Sequence, residues 1–100
     1  MKDRIQPPGP QAAPKLAEPS YAAQALTVTA RVLDMQPTQL LGPTVLDEAL
    51  RTGLRAVLDP LPKPVRACAR RVAFAALPQA SLDLTQGEYA LRLRAAAKAL

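Results

Sequence analysis

The chain contains no histidine and no tryptophan, and it has only one cysteine and three aromatic residues. Without histidine it lacks the commonest general base and the commonest metal ligand. A Cys–His nucleophile pair is excluded within the chain, and Cys68 has no second cysteine with which to form an internal disulfide. The four glycines are isolated, so no glycine-rich loop is present to cradle a phosphate. We therefore predict a protein that is not an enzyme and that binds no metal or cofactor.

Long apolar runs are also missing. No stretch approaches the roughly 18 apolar residues of a membrane-spanning helix, and the first eight residues lack the apolar core of a signal peptide. A single cysteine gives no sign of an oxidising compartment. These features predict a cytoplasmic protein, and the frequent Ala, Arg, Leu and Pro residues are typical of a GC-rich bacterial genome.

The apolar content is 49%, but most of it comes from small or aliphatic side chains, with 20 alanines and 16 leucines in 100 residues. A chain of this length forms one domain. Alanine buries little area, so at about 25 cal/mol per Å² the core gains less free energy than the apolar content suggests. We therefore expect a partner protein or a second copy of the chain to complete the burial.

Residues 1–20 hold five of the eleven prolines and few large apolar residues. Because proline fixes φ and lacks a backbone donor, this composition predicts a disordered, Pro-rich N-terminal tail. A single small domain is expected over residues 21–100.

Residues 44–59 have the clearest helical pattern. Gly42-Pro43 breaks the chain, Thr44 is placed to cap the helix, and Asp47 is spaced to pair with Arg51. Arg55 and Asp59 have the same spacing. The apolar stripe comprises Leu46, Leu50, Gly53, Leu54 and Val57.

Val65–Leu77 is predicted to form the next helix, between Pro64 and Pro78. Its apolar face includes Cys68, which we expect to be a small buried residue, and Ala75. The opposite face mixes basic and apolar side chains. The candidate partner-binding residues, for a protein or a nucleic acid, are Lys63, Arg66, Arg70, Arg71, Phe74 and Leu77.

Two segments have patterns that fit either a helix or a strand. Residues 26–33 alternate as a strand would, but they also place apolar residues on one helical face. In 81–94, Thr85 and Glu88 form a capping box with Leu84 and Tyr89 as a hydrophobic staple, whereas Leu91 fits better in a strand. We favour an all-α bundle of three to four helices. The alternative is an α+β fold in the winged-helix order strand, helix, helix, hairpin.

Residues 30–57 resemble the first half of an acyl carrier protein, although Gly53 stands where that family carries its phosphopantetheine serine. Residues 84–91 resemble the start of the winged-helix effector domain of response regulators. Each resemblance covers less than a third of the chain, so we assign the chain to no family from its sequence.

The net charge of +5 lies entirely in residues 60–100, which carry seven basic and two acidic residues, whereas residues 1–59 carry six of each. Such a basic region attracts an acidic partner. We expect a small non-enzymatic interaction protein that binds an acidic protein surface, or itself, through residues 65–77, with Phe74 as the anchor. The alternative is a nucleic-acid-binding protein whose arginines contact the phosphate backbone.

Overall fold

The structure, a computed structural model, describes the backbone of residues 8–81 and 83–100 and, within these ranges, the side chains from Ser20 onward. This part of the chain contains four helices, which are α1 (Pro8–Leu33), α2 (Pro43–Leu58), α3 (Lys63–Ala76) and α4 (Gln86–Ala99). Its only pairing of extended backbone is an isolated bridge between Leu40 and Thr85. The predicted all-α bundle is confirmed, and the winged-helix alternative is wrong.

The predicted N-terminal tail covers residues 1–20, of which residues 1–7 lie outside the described part of the chain. Helix α1 begins at Pro8, within that segment. Residues 26–33, whose pattern also fitted a strand, are helical because Ala22, Leu26 and Leu33 form one buried helical face.

Helix α1 is the centre of the bundle. The other three helices pack mainly against it, and of these only α2 and α3 contact each other appreciably, though much less than each contacts α1. The apolar part of the buried core is aliphatic apart from one tyrosine, and two polar residues, Thr29 and Gln86, are also buried. Its apolar members are Ala22, Ala25, Leu26, Ala30, Leu33, Leu41, Ala49, Leu50, Leu54, Leu58, Ala69, Ala73, Tyr89, Ala90 and Leu93.

Helices α1 and α2 approach most closely at Gly53. A Cβ atom at this position would lie 2.6 Å from the carbonyl oxygen of Ala25 and 2.9 Å from the backbone nitrogen of Thr29. The buried Thr29 hydroxyl donates to the Ala25 carbonyl at 2.8 Å, so its hydrogen is not left without an acceptor at this contact. The close crossing therefore depends on glycine at position 53.

Helix α2 starts one residue earlier than predicted. Its N-cap is Gly42 and Pro43 occupies the first turn, with no side-chain hydrogen bond at the cap, so the prediction that Thr44 caps this helix is wrong. Proline suits the first helical position because its φ is preset and the N–H that it lacks would have had no partner. The predicted Asp47–Arg51 ion pair is present at 3.3 Å between exposed side chains.

Helix α3 runs from Lys63 to Ala76, whereas the predicted bounds were Val65–Leu77. Its buried residues are Ala69 and Ala73, whereas Ala75, which we placed on the apolar face, is exposed. Cys68 is half-buried rather than fully buried. The fully buried residues of α3 are thus both alanines, while the larger Val72 packs half-buried against the core.

The N-terminus of α4 is held by its predicted capping box. The Thr85 hydroxyl accepts from the Glu88 backbone N–H at 3.1 Å, and the Glu88 carboxylate accepts from the Thr85 N–H at 2.8 Å. The next two N–H groups donate to the loop after α1, from Gln86 to the Gln39 carbonyl at 2.8 Å and from Gly87 to the Pro37 carbonyl at 2.9 Å. The first turn of α4 is therefore fully hydrogen-bonded.

Candidate partner-binding groove

The predicted partner-binding residues on α3 are mostly accessible. Lys63, Arg70 and Arg71 are exposed, and Arg66 is half-buried. Phe74, the only phenylalanine of the chain, is 49% exposed. An exposed aromatic side chain beside arginine combines two residue types that are enriched at protein interfaces.

A depression of about 290 Å³ separates α3 from α2 at Phe74. Helix α3 contacts α2 only sparingly, and part of the space between the two helices is left open as this depression. The depression is lined by Asp47, Leu50, Arg51, Leu54, Arg55, Arg70 and Phe74.

A second, more apolar depression of about 350 Å³ continues along α2 toward its N-terminus. It shares Asp47 and Leu50 with the first, so the two are contiguous. The other lining residues come from the start of α2 and from the connection between α3 and α4, and they are Leu41, Gly42, Pro43, Leu46, Ala80 and Ser81.

A third depression of about 380 Å³ extends the surface along the start of α3 and shares Arg70 with the first. Its other lining residues are Asp59, Lys63, Arg66 and Ala67. The three depressions together are called the α2–α3 groove below.

The rim of the α2–α3 groove is positively charged. Among its lining residues, the two acidic ones, Asp47 and Asp59, are outnumbered by five basic ones, which gives a net charge of +3. Asp47 is already paired with Arg51. The basic residues are Arg51, Arg55, Lys63, Arg66 and Arg70.

The groove thus combines an apolar floor with guanidinium and ammonium groups at its edge. The floor can bury apolar side chains, and the edge can bind carboxylates or phosphates. Among the described residues, no three His, Cys, Asp or Glu side chains lie close enough together to hold a metal ion.

The two side chains with shifted pKa values lie beside the groove rather than in it. A hydrogen bond from the Ser81 hydroxyl lowers the pKa of the exposed Asp83. Burial raises the pKa of the Tyr89 hydroxyl, an effect partly opposed by the positive charge of Arg92. The Tyr89 hydroxyl donates to the Pro78 carbonyl at 2.6 Å and so ties the α3–α4 connection to α4.

The structure brings four of the six predicted residues together, namely Lys63, Arg66, Arg70 and Phe74. Arg71 lies about 100° further around the helix than Arg70, and it lines none of these depressions. Leu77 follows the end of α3 and packs half-buried against the core.

Sequence reasoning missed the contribution of α2 to this surface. Arg51 and Arg55 were interpreted only as ion-pair partners, and Leu46 and Leu50 as members of a core stripe, which is correct for the buried Leu50. Their spacing of four residues does place each pair on one helical face. The spacing does not show that this face lies opposite α3, because that depends on how the helices pack.

Comparisons with protein-family models, with curated proteins and with solved structures found no match to this chain. The position that corresponds to the serine of acyl carrier proteins, Gly53, is buried against Thr29 and Ala25, so a prosthetic group has no room there. In the part of the chain that is described, no helix is long and apolar enough to cross a membrane.

Proposed function

We propose that this chain is a small non-enzymatic interaction protein that binds an acidic surface of a partner protein through α3 and the α2–α3 groove. The observation that carries the proposal is Phe74, which is 49% exposed and lines the groove next to Arg70. Aromatic residues and arginine contribute most of the binding energy at protein interfaces.

The size of this contribution can be estimated from area. Fully burying a phenylalanine side chain gains up to about 3 kcal/mol, so burying the exposed half of Phe74 gains about 1.5 kcal/mol at most. That free energy corresponds to a change of roughly tenfold in Kd. Phe74 would therefore contribute to the interface as an anchor, while the other contacts of the groove supply the rest of the free energy that association requires.

The charge of the rim favours an acidic protein over the other candidate partners. A nucleic-acid backbone would satisfy the arginines but would leave the apolar floor and Phe74 unused. Two copies of the chain joined groove to groove would place two surfaces of net charge +3 against each other. An acidic protein surface uses both the floor and the rim.

Photo-crosslinking tests the proposal. The photoreactive residue benzoylphenylalanine is placed at Phe74 or, as the control, at Leu91, an apolar residue of α4 that is 67% exposed. The two proteins are expressed in the native cell and irradiated. We expect a protein adduct from position 74 that position 91 does not give, and we expect Arg70→Glu to abolish it while Arg92→Glu does not.

Four results would contradict the proposal. They are identical adducts from both positions, no adduct from position 74, an adduct with twice the mass of the chain, and an adduct that nuclease removes. The last would support nucleic-acid binding instead. An adduct with twice the mass of the chain would show self-association in place of a separate partner.

A further inference from the structure

We infer that the α2–α3 groove binds an acidic amphipathic helix of the partner, about four turns long. The inference rests on the proposed function and adds the form of the segment that binds. It follows from the length of the groove, from the spacing of its floor and from the hydrogen bonds that its backbone can offer.

The length of the groove sets the length of the segment. In the first two depressions, the lining residues beside α2 run from its N-cap, Gly42, to Arg55. At 1.5 Å per residue this is about 20 Å, or close to four turns of a bound helix lying alongside.

The backbone of the groove floor favours a helical segment over an added β-strand. An added β-strand gains its affinity from main-chain hydrogen bonds to an exposed strand edge. The floor here is helix α2, whose N–H and C=O groups in the interior of the helix bond to one another. A bound helix satisfies its own backbone and needs only side-chain contacts, so it fits this floor.

The floor also has a helical repeat. Leu46, Leu50 and Leu54 follow one another at intervals of four residues, about 6 Å along the axis of α2. Apolar residues spaced three or four apart on a partner helix repeat at nearly the same interval. Leu46 is half-exposed, whereas Leu50 and Leu54 belong to the core and expose only a small edge to the groove, so successive partner side chains would contact Leu46 and then these two edges.

The charges of the rim identify the polar face of the bound helix. At the Phe74 end of the groove, three arginines (Arg51, Arg55 and Arg70) face one carboxylate, Asp47. Glu or Asp residues beside the apolar stripe of the partner would pair with these guanidinium groups. The exposed residues Leu91, Arg92 and Lys98 of α4 form an apolar-basic surface, so α4 of a second copy lacks this complementarity.

An NMR titration of the full chain tests the inference. The probe is a synthetic helix of about 16 residues with Leu at positions three and four apart and Glu beside them. One control peptide has the same composition with the leucines moved off the stripe, and a second replaces Glu by Lys. We expect amide shifts from residues 42–55 and 63–81 and binding at least about tenfold tighter than either control.

Matched variants locate the site. Phe74→Ala and Arg70→Glu should each weaken the peptide by about tenfold or more, whereas Leu91→Ala and Arg92→Glu on α4 should leave Kd unchanged. Equal binding of all three peptides, shifts outside the groove, or no shifts at millimolar peptide would overturn the inference.

The inference and the proposed function fail separately. If position 74 crosslinks to an acidic protein but the acidic peptide does not bind, only the helical form of the partner is wrong. If neither occurs, both are wrong. Larger groove shifts with short duplex DNA than with the acidic peptide would overturn both in favour of nucleic-acid binding.

Discussion

Helices α3 and α4 have the same length, 14 residues, and both pack against α1, yet they contribute differently to the fold. Helix α4 buries Tyr89, Ala90 and Leu93, whereas α3 buries only two alanines. Large buried side chains stabilise a fold far more than alanines do. The comparison indicates that α4 is anchored to α1 by larger buried side chains than α3 is, and that α3 leaves Phe74 and Arg70 exposed.

Helix α4 is also fixed by more side-chain hydrogen bonds and ion pairs than α3 is. Helix α4 starts in a capping box, and Arg94 pairs with Asp34 at the end of α1. Helix α3 starts after Pro62 with no side-chain hydrogen bond at its cap. Weakly fixed elements are often the ones that bind ligands, which agrees with the role proposed for α3.

The largest difference is expected between Leu93→Ala on α4 and Phe74→Ala on α3. Leu93 is fully buried, so its truncation should cost about 3 kcal/mol of unfolding free energy. Phe74 is 49% exposed, and its truncation should cost about 1 kcal/mol or less. Urea unfolding followed by circular dichroism measures both, and equal losses would remove the distinction between the helices.

A second contrast lies on the two sides of α2, one closed against α1 and one open to the groove. Gly53→Ala would place a methyl group 2.6 Å from the Ala25 carbonyl. We expect a net loss of about 2 kcal/mol, because the strain exceeds the gain of roughly 1 kcal/mol in helix propensity. At Gly42 a Cβ would meet nothing within 4 Å, so Gly42→Ala is the control. A stable Gly53→Ala protein would show that the α1–α2 crossing is not tight.

The next largest effect is the loss of stability expected when the N-terminal cap of α4 is removed. Thr85→Ala removes the hydroxyl that accepts from the Glu88 N–H, and it should cost about 1 kcal/mol. The control is Thr52→Ala within α2, whose exposed hydroxyl only donates to the Glu48 carbonyl, and it should change stability by less than about 0.5 kcal/mol. Thermal unfolding of both variants provides the measurement. A similar loss at both positions would mean that the capping box adds nothing.

The helices could be predicted because their signals are local. Pro43, Pro64 and Pro78 mark helix boundaries, and Thr85 with Glu88 marks the start of α4. The cap of α2 was assigned to Thr44 because a proline in the first turn was treated only as a break.

The groove could not be predicted in full because it depends on contacts between distant residues. Arg51 and Arg55 belong to residues 1–59, which have no net charge. The fold nevertheless brings both of them beside Arg70, which belongs to the basic residues 60–100. The apolar stripe of α2 did predict a buried face. It did not indicate that Leu46 would remain half-exposed in a groove, since that depends on the small contact surface of α3.

The smallest expected effect is a pH dependence of the free energy of unfolding, which comes from the buried Tyr89 of α4. Burial raises the pKa of Tyr89 above its ordinary value of 10.0, and Arg92 partly opposes the shift. As the pH rises through 10, the unfolded chain loses this proton before the folded chain does, so the free energy of unfolding should fall. Tyr89→Phe removes the ionisation and the hydrogen bond to Pro78, which costs about 1 kcal/mol near neutral pH. The stability difference between the wild type and this variant should therefore shrink above pH 10, and a constant difference in urea unfolding up to pH 11 would show that burial of Tyr89 does not hold its proton.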